Sequence, residues 1–138
     1  MIYLESSAFV KLYAEELGAP EVRAIVQDNT DRLLSSVVTY AEVYAALQTA
    51  WRVKRLTTDS LARIRSLFRK DWTTITKVEV TEAVLEPVPR LVERYELTGF
   101  DSVQLSAALW VRKPEMLFAC FDQRLRAAAE AEGLAVVP

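Results

Sequence analysis

The stretch Ile2-Tyr3-Leu4-Glu5-Ser6-Ser7 decides the fold class, because it joins a predicted strand to a predicted helix through a single acid. Its opening residues form an apolar run that is typical of a buried strand. Glu5 ends this run, serines that favour helix N-termini follow, and a helical pattern begins at Ala8. Strand, acid and helix in this order predict a parallel sheet with an acidic site at its carboxyl edge, where ligands bind in open α/β sheets.

The same alternation of strands and helices continues along the rest of the chain. Further strands are predicted at 33–38, 76–80, 116–121 and 135–137, and helices at 7–16, 20–28, 39–54, 57–71, 87–97, 101–110 and 122–132. In the helix over 57–71, the residues predicted to face inward are Leu61, Ile64, Leu67 and Phe68. We expect one domain over residues 1–138, an α/β three-layer sandwich around a central, mainly parallel sheet of about five strands.

The composition limits the class of protein. The 138 residues are 51% hydrophobic and 26% charged, and no segment is apolar and long enough to suggest a membrane span. The single cysteine, Cys120, excludes an internal disulfide and fits a reducing compartment. The first residues lack the pattern of a signal peptide, so we expect a cytoplasmic protein that does not bind a membrane.

The residue types that are missing narrow the chemistry. The chain has no histidine, which excludes imidazole as a catalytic base or as a metal ligand. One cysteine also excludes a thiolate cluster. A metal site would therefore need oxygen ligands, which favour Mg²⁺ or Mn²⁺ over Zn²⁺.

Four acids stand at predicted helix starts, namely Glu5, Glu42, Asp101 and Asp122. Structural roles are the alternative for three of them: Thr39-x-x-Glu42 matches a capping box, and the two aspartates are acceptable N-caps. Glu5 directly ends a buried strand and has no obvious stabilising role. We expect the four to meet at the carboxyl edge of the sheet. Clustered carboxylates repel one another unless a cation neutralises them, and a divalent ion held there could orient a phosphate and activate water.

Around these acids the chain resembles the PIN-domain family, in particular the VapC-type toxins of bacterial and archaeal toxin–antitoxin pairs. The motifs that carry the resemblance are MIYLESSAFVKLY (1–13), SVVTYAE (36–42), FDSVQLSAA (100–108) and FDQRL (121–125). They occur in the family's order and spacing and cover nearly the whole chain. The resemblance implies the PIN fold and an endonuclease that cleaves RNA with Mg²⁺ or Mn²⁺.

The same resemblance implies roles for single residues and for partners. Glu5 and Asp101 would anchor the principal metal ion. Glu42 and Asp122 would complete the site or orient water, with Asp122 as a further metal ligand, and Ser7 would be a polar helper. The expected partners are an RNA substrate, a cognate antitoxin protein and a second copy of the chain.

Two positions depart from the family's pattern. The family's first acid is normally Asp, whereas this chain has Glu5, which is longer by one methylene. A His often follows the third acid by three residues, whereas this chain has Gln104. The charge of the site is kept, and we expect Gln104 and Ser7 to contact substrate.

Basic residues concentrate in 52–70, which carries a local charge of +6 although the whole chain has a formal charge of −2. A solvated helical face is one interpretation. The other is a rim that contacts RNA phosphates beside the acids, with Arg52 and Arg55 as substrate-binding residues. The helices over 39–54 and 57–71 also carry Tyr44, Trp51 and Phe68, and this mixture predicts a surface that accepts a protein partner.

Two other functions compete with a ribonuclease toxin. The first is a catalytically weakened PIN-fold module that binds RNA or protein, in which Glu5 and Gln104 mark lost activity. Metal-dependent cleavage of RNA by the purified protein separates the two. The second, a phospho-receiver domain, fits the size and the acidic edge. It fails because no paired acids follow the first strand and no lysine follows a late strand in the expected place.

Overall fold

A computed structural model describes residues 1–14, 17–29 and 32–138. Its strands are β1 (Ile2–Leu4), β2 (Leu33–Ser36), β3 (Thr76–Val78), β4 (Leu117–Ala119) and β5 (Ala135–Val137). They form one sheet in the order β3-β2-β1-β4-β5, and every neighbouring pair is parallel. The predicted parallel sheet of five strands is therefore confirmed.

The helices of the described residues are α1 (Ser6–Lys11), α2 (Ala19–Gln27), α3 (Val38–Arg52), α4 (Thr58–Trp72), α5 (Glu82–Leu85), α6 (Val88–Tyr95), α7 (Gly99–Trp110) and α8 (Gln123–Ala131). None of them is both long enough and apolar enough to cross a membrane.

Alternation along β1 explains the three layers. Ile2 and Leu4 pack with apolar residues of α1 to α4, whereas Tyr3 packs with apolar residues of α5 to α8. Because successive side chains of a strand point to opposite faces, each face of the sheet receives its own helical layer. β1 lies in the middle of the sheet, buried on both faces, as its continuous apolar run predicts.

Several predicted boundaries are wrong by a few residues. The second strand ends at Ser36, because Val37 already has helical backbone angles (φ −57°, ψ −27°). Leu67 is 41% exposed, although it was predicted to face inward. The buried residues of α4 are Leu61, Ile64 and Phe68, and Leu67 lies about 100° around the helix from Phe68.

Other differences concern the lengths of the elements. The helix predicted over 7–16 is the shorter α1, and Glu16 lies outside the described residues. The strands predicted at 76–80 and 116–121 shorten to three residues each. The sequence analysis missed α5, which is only four residues long and begins at the N-cap Thr81. A single turn is too short to show a helical period.

The topology places several helix starts at one edge. In a parallel sheet the strands end on the same side, and α1, α3 and α8 begin just beyond the carboxyl ends of β1, β2 and β4. The first turns of these helices therefore lie next to one another.

Candidate active site

The four acids line a single cavity of about 500 Å³ at the carboxyl edge of the sheet. The cavity is formed by Glu5, Ser6, Ser7, Val10, Lys11, Glu42, Ala46, Asp101, Phe121 and Asp122. The prediction that the four acids converge at this edge is therefore confirmed, but within the described residues their side chains do not lie close enough together for one or two cations, as was also predicted. Glu5, Glu42 and Asp122 meet because the strands before them end at the same edge, and Asp101 joins them from the start of α7.

Glu5 has a structural role that the sequence analysis did not find. It is the N-cap of α1, and its Oε2 accepts a hydrogen bond from the backbone N–H of Ser7 at 2.9 Å. The Ser7 hydroxyl donates to the same oxygen at 2.5 Å. The residue is only 3% exposed, and burial raises the pKa of the Glu5 carboxyl above its ordinary value. The bonds from Ser7 act against this rise.

Ser7 joins Glu5 to the strand on the other side of β1. Its hydroxyl accepts a hydrogen bond from the backbone N–H of Phe121 at 2.8 Å while donating to Glu5. Phe121 follows the end of β4, so Ser7 connects the first and last acidic motifs. Burial raises the pKa of the neighbouring Cys120 thiol, which favours the neutral form of this buried residue.

Glu42 does not form the predicted capping box. α3 begins after Val37, and Thr39 is buried with its hydroxyl bonded to that of Ser35. The Glu42 carboxylate instead accepts a hydrogen bond from the Ser6 hydroxyl at 2.6 Å. Ser6, which lies outside the motif around Glu42, thus holds the Glu42 carboxylate at the cavity.

The two aspartates differ in how they meet their helices. Asp122 is the N-cap of α8 and accepts from the backbone N–H of Leu125 at 2.8 Å, as the capping interpretation predicts. Asp101 is not an N-cap, because Thr98 caps α7. The Thr98 hydroxyl also donates to Asp101 Oδ2 at 2.6 Å, so Asp101 sits in the first turn of the helix, facing the cavity.

The acids share the cavity without forming a compact cluster. Within 1–14, 17–29 and 32–138, no three Asp, Glu or Cys side chains are grouped closely enough to hold a metal ion. Glu5, Asp101 and Asp122 each accept a hydrogen bond from a group near the start of their own helix, and Glu42 accepts one from Ser6 at the start of α1. These local bonds keep the mutually repelling carboxylates apart. Carboxylate oxygens are nonetheless the ligands that Mg²⁺ and Mn²⁺ prefer, so these four residues fit such an ion once their side chains turn towards it.

Gln104 does not lie where substrate could touch it. It is 0% exposed, and its amide is bonded to protein groups below the cavity floor. The prediction that Gln104 contacts substrate is therefore wrong in this structure, because its position in α7 faces the interior. Two residues of the site that were not singled out are Ser6, which bonds Glu42, and Lys11, whose Nζ lies 4.5 Å from the centre of the Phe121 ring. Ser6 stands beside Glu5 in sequence, but no pattern in the chain links it to Glu42.

Arg52 and Arg55 do not line the acidic cavity. Arg52 lies ten residues beyond Glu42, about 15 Å along the axis of α3. Arg55 lines a neighbouring groove of about 830 Å³ between α1, α3 and α4. This groove shares the lining residues Val10 and Ala46 with the cavity, so the two adjoin. Arg55 thus lies in a groove beside the acidic cavity and does not line the cavity itself.

The predicted partner surface on α3 and α4 is only partly exposed. Phe68 is 0% exposed and packs in the core, which contradicts its predicted place on that surface. Tyr44 is half-buried and lies 5.7 Å from the Phe68 ring between centroids. Trp51 is exposed, and its indole N–H donates to the Thr58 hydroxyl at 3.2 Å. The accessible apolar area is instead the groove beside Arg55.

Comparison with known proteins places this chain in a family. A family profile for the PIN domain matches residues 2–131. The chain is 37% identical over 138 residues to ribonuclease VapC45 of Mycobacterium tuberculosis (strain CDC 1551 / Oshkosh), which covers 100% of this chain and 95% of that protein.

Solved structures share the fold at low sequence identity. The crystal structure of Mycobacterium tuberculosis VapC20, described as a sarcin–ricin loop cleaving toxin, aligns with a TM-score of 0.70 and 13% identity, over 98% of this chain and 97% of that chain. A toxin–antitoxin complex from Klebsiella pneumoniae aligns with a TM-score of 0.68 and 14% identity, over 100% of this chain and 97% of that chain. The chain belongs to the PIN-domain family and is a VapC-type member of it.

Proposed function

We propose that this protein is an endoribonuclease that depends on a divalent metal ion and acts as the toxin of a toxin–antitoxin pair. The observation that carries the proposal is the cavity lined by Glu5, Glu42, Asp101 and Asp122 in a chain 37% identical to a VapC ribonuclease. Its only acidic or basic groups besides these carboxylates come from Lys11, so the cavity offers oxygen ligands for a cation and no imidazole or free thiolate.

We propose a role for each acid, supported by its place in the cavity and by the family's pattern. Glu5, Asp101 and Asp122 would hold Mg²⁺ or Mn²⁺, and a bound ion would neutralise phosphate charge and make its water more acidic. Glu42 accepts hydrogen bonds from Ser6 and Gln104, and it would orient the attacking water. Ser7 keeps Glu5 turned towards the cavity through its hydrogen bond.

A protein partner is the second part of the proposal. The groove beside the cavity is lined mainly by apolar side chains and ends near Arg55 and Arg63. An apolar segment flanked by acidic residues would fit this groove, and because the groove adjoins the cavity, such a segment could extend towards the acids. The Klebsiella pneumoniae neighbour, a toxin–antitoxin complex, favours an antitoxin as the occupant. A homodimer is also proposed, and light scattering of the purified protein measures it.

The test of the nuclease is cleavage of a fluorogenic single-stranded oligoribonucleotide of mixed sequence. We expect cleavage with Mg²⁺ or Mn²⁺, none with EDTA, and recovery when the metal is restored. The variant Asp101→Asn keeps the shape of the side chain and removes its charge. It should lose about 100-fold or more in kcat.

The matched control is Asp59→Asn, which removes a charge from the first turn of α4, away from the cavity. This variant should cleave at the wild-type rate. A wild-type protein that cleaves no RNA with either ion would contradict the proposal, as would an Asp101→Asn variant as active as the Asp59→Asn control.

A further inference from the structure

The buried amide of Gln104 lies beneath the cavity and is bonded on both of its sides. Its Oε1 accepts a hydrogen bond from the Tyr3 hydroxyl at 2.9 Å. Its Nε2 lies 2.6 Å from Glu42 Oε1 and 2.8 Å from each of the hydroxyl oxygens of Ser6 and Thr39. The side chain is 0% exposed, so these protein groups are its whole polar environment.

The orientation of this amide follows from the chemistry of its partners. An ionised carboxylate can only accept hydrogen bonds, so the nitrogen side of Gln104 must face Glu42. The oxygen side then faces Tyr3, whose hydroxyl donates to it. Gln104 therefore donates a hydrogen bond to the Glu42 carboxylate and does not accept one from it.

The bonds to Glu42 leave one of its oxygens available. The Gln104 amide and the Ser6 hydroxyl both donate to Oε1, at 2.6 Å each. Neither bond uses Oε2, and the Glu42 side chain lines the cavity. Two donors on one oxygen restrain the carboxylate and leave Oε2 free to face the cavity.

The amide is itself anchored to the central strand. Gln104 donates to the Thr39 hydroxyl, and Thr39 is bonded at 2.8 Å to the hydroxyl of Ser35. The Ser35 hydroxyl donates to the backbone carbonyl of Leu4 at 2.6 Å. Leu4 immediately precedes Glu5, so this chain of bonds ties the position of Gln104 to the strand that carries the first acid.

We propose that Gln104 is a positioning residue that holds the Glu42 carboxylate so that Oε2 faces the cavity and orients the water that attacks the RNA phosphate. This inference rests on the proposed ribonuclease function. Gln104 touches neither substrate nor metal, and it acts through Glu42. Its role explains why a polar side chain is buried at this point of α7.

The test compares two variants that remove the same hydrogen bond. Gln104→Met and Tyr3→Phe both abolish the bond between Tyr3 and Gln104, but only Gln104→Met removes a donor from Glu42. Residues that hold a functional side chain in place by a hydrogen bond typically contribute about 10–100-fold to activity. We expect kcat on the oligoribonucleotide to fall by that factor in Gln104→Met with little change in KM, and Tyr3→Phe to lose far less.

Two further readouts separate positioning from a loss of stability. In a double-mutant cycle, Gln104→Met should cause no additional loss of kcat in a Glu42→Ala background, because the group it positions is already absent. Calorimetric titration with Mn²⁺ alone should give nearly the same affinity for wild type and Gln104→Met, because Gln104 acts on the water-orienting acid. If Gln104→Met does not fold, Ser6→Ala removes the other donor to Glu42 Oε1 and should lower kcat with the same lack of additivity.

Each outcome bears on the inference. Equal losses of kcat in Gln104→Met and Tyr3→Phe, or full additivity with Glu42→Ala, would overturn it. So would an unchanged kcat in Ser6→Ala, should that variant be needed. A Glu42→Ala variant that cleaves at the wild-type rate, beside an inactive Asp101→Asn variant, would overturn the role of Gln104 and leave the nuclease function intact. A wild-type protein without metal-dependent cleavage would overturn both.

Discussion

Glu5 accepts hydrogen bonds from the N–H and the hydroxyl of Ser7 while its carboxyl is buried at the end of β1. Burial disfavours the ionised form and raises the pKa of Glu5, whereas a metal ion requires that form. Folding and the proposed chemistry therefore favour opposite charge states at this residue. A buried acid at the end of a central strand is then explained by function more than by stability.

Glu5→Gln tests this conflict. Because the folded-state pKa is raised, the stabilising contribution of Glu5 is full below the unfolded pKa and is lost as pH rises through the folded pKa. At pH 7.5 without metal, Glu5→Gln should melt at or above the wild-type temperature, and the difference should shrink towards pH 4. RNA cleavage should fall by about 100-fold. Thermal melts across pH, together with cleavage rates, measure both effects.

Glu5→Asp is the matched variant, since it keeps the charge and restores the family's usual residue. Aspartate is also a good N-cap, so α1 should still be capped. We expect Glu5→Asp to retain or raise activity. Equal activity in wild type and Glu5→Gln would rule out a catalytic role for Glu5. Activity that appears only in Glu5→Asp would favour the catalytically weakened binding module.

At the scale of single residues, sequence located the acids but not the groups that hold them. Glu5, Glu42, Asp101 and Asp122 stand out because each follows a strand or opens a helix, and this is a local pattern. The partners of Glu42 are Ser6 and Gln104, which are 36 and 62 positions away in sequence. Only the folded chain brings such pairs together, so Gln104 could not be distinguished from a substrate-binding residue.

At the scale of helices, two of the acids, Glu5 and Asp122, also cap a helix, and sequence can confuse this role with a place in the site. Asp122 caps α8 through the Leu125 N–H and also faces the cavity. Thr39 and Glu42 have the spacing of a capping box, yet α3 begins one residue before Thr39 and Thr39 is bonded into the core. Capping motifs therefore predicted that helices begin near these acids but did not predict which residue caps.

Asp122→Asn and Asp122→Ala separate capping from chemistry. Asparagine caps a helix about as well as aspartate, whereas alanine costs about 1 kcal/mol. We expect both variants to lose cleavage activity by roughly 10-fold or more, because both remove a carboxylate from the proposed metal site. Only Asp122→Ala should also lose stability by about that amount in chemical denaturation.

The control for this comparison is Thr57→Ala. Thr57 caps α4 by accepting from the Ser60 N–H at 3.1 Å, and it does not line the cavity. This variant should lose a similar amount of stability while keeping its activity. If Asp122→Asn cleaves RNA as fast as wild type, Asp122 is a helix cap and takes no part in the reaction.

At the scale of the whole molecule, the order of elements predicted the architecture. Alternating strands and helices require parallel pairing with crossovers, and burial of β1 on both faces requires helical layers on both sides. The order of the strands and the groove between α1, α3 and α4 were not predictable, because they depend on which helices pack against which face. The predicted basic rim does not lie beside the acids, because the length of α3 carries Arg52 away from Glu42.

The groove lined by Arg55 and Arg63 adjoins the acidic cavity in a protein with a formal charge of −2. We expect RNA bound at the proposed site to extend into this groove, where the Arg55 guanidinium would contact a phosphate. Removing one such contact weakens binding across all sequences and reduces the dependence of binding on salt. Arg55→Ala should therefore raise KM for the oligoribonucleotide at low salt, leave kcat nearly unchanged, and reduce the salt slope by about one unit.

Lys113→Ala is the matched control for Arg55→Ala, because it removes the same charge at the opposite edge of the sheet. Lys113 precedes the amino end of β4, whereas the cavity lies at the carboxyl ends of the strands. Long-range attraction by net charge would affect both variants equally and would vanish at high salt. A direct phosphate contact predicts a change in KM and in salt slope for Arg55→Ala alone. Equal shifts in the two variants would show that Arg55 contributes only to the general field of the protein and does not bind RNA.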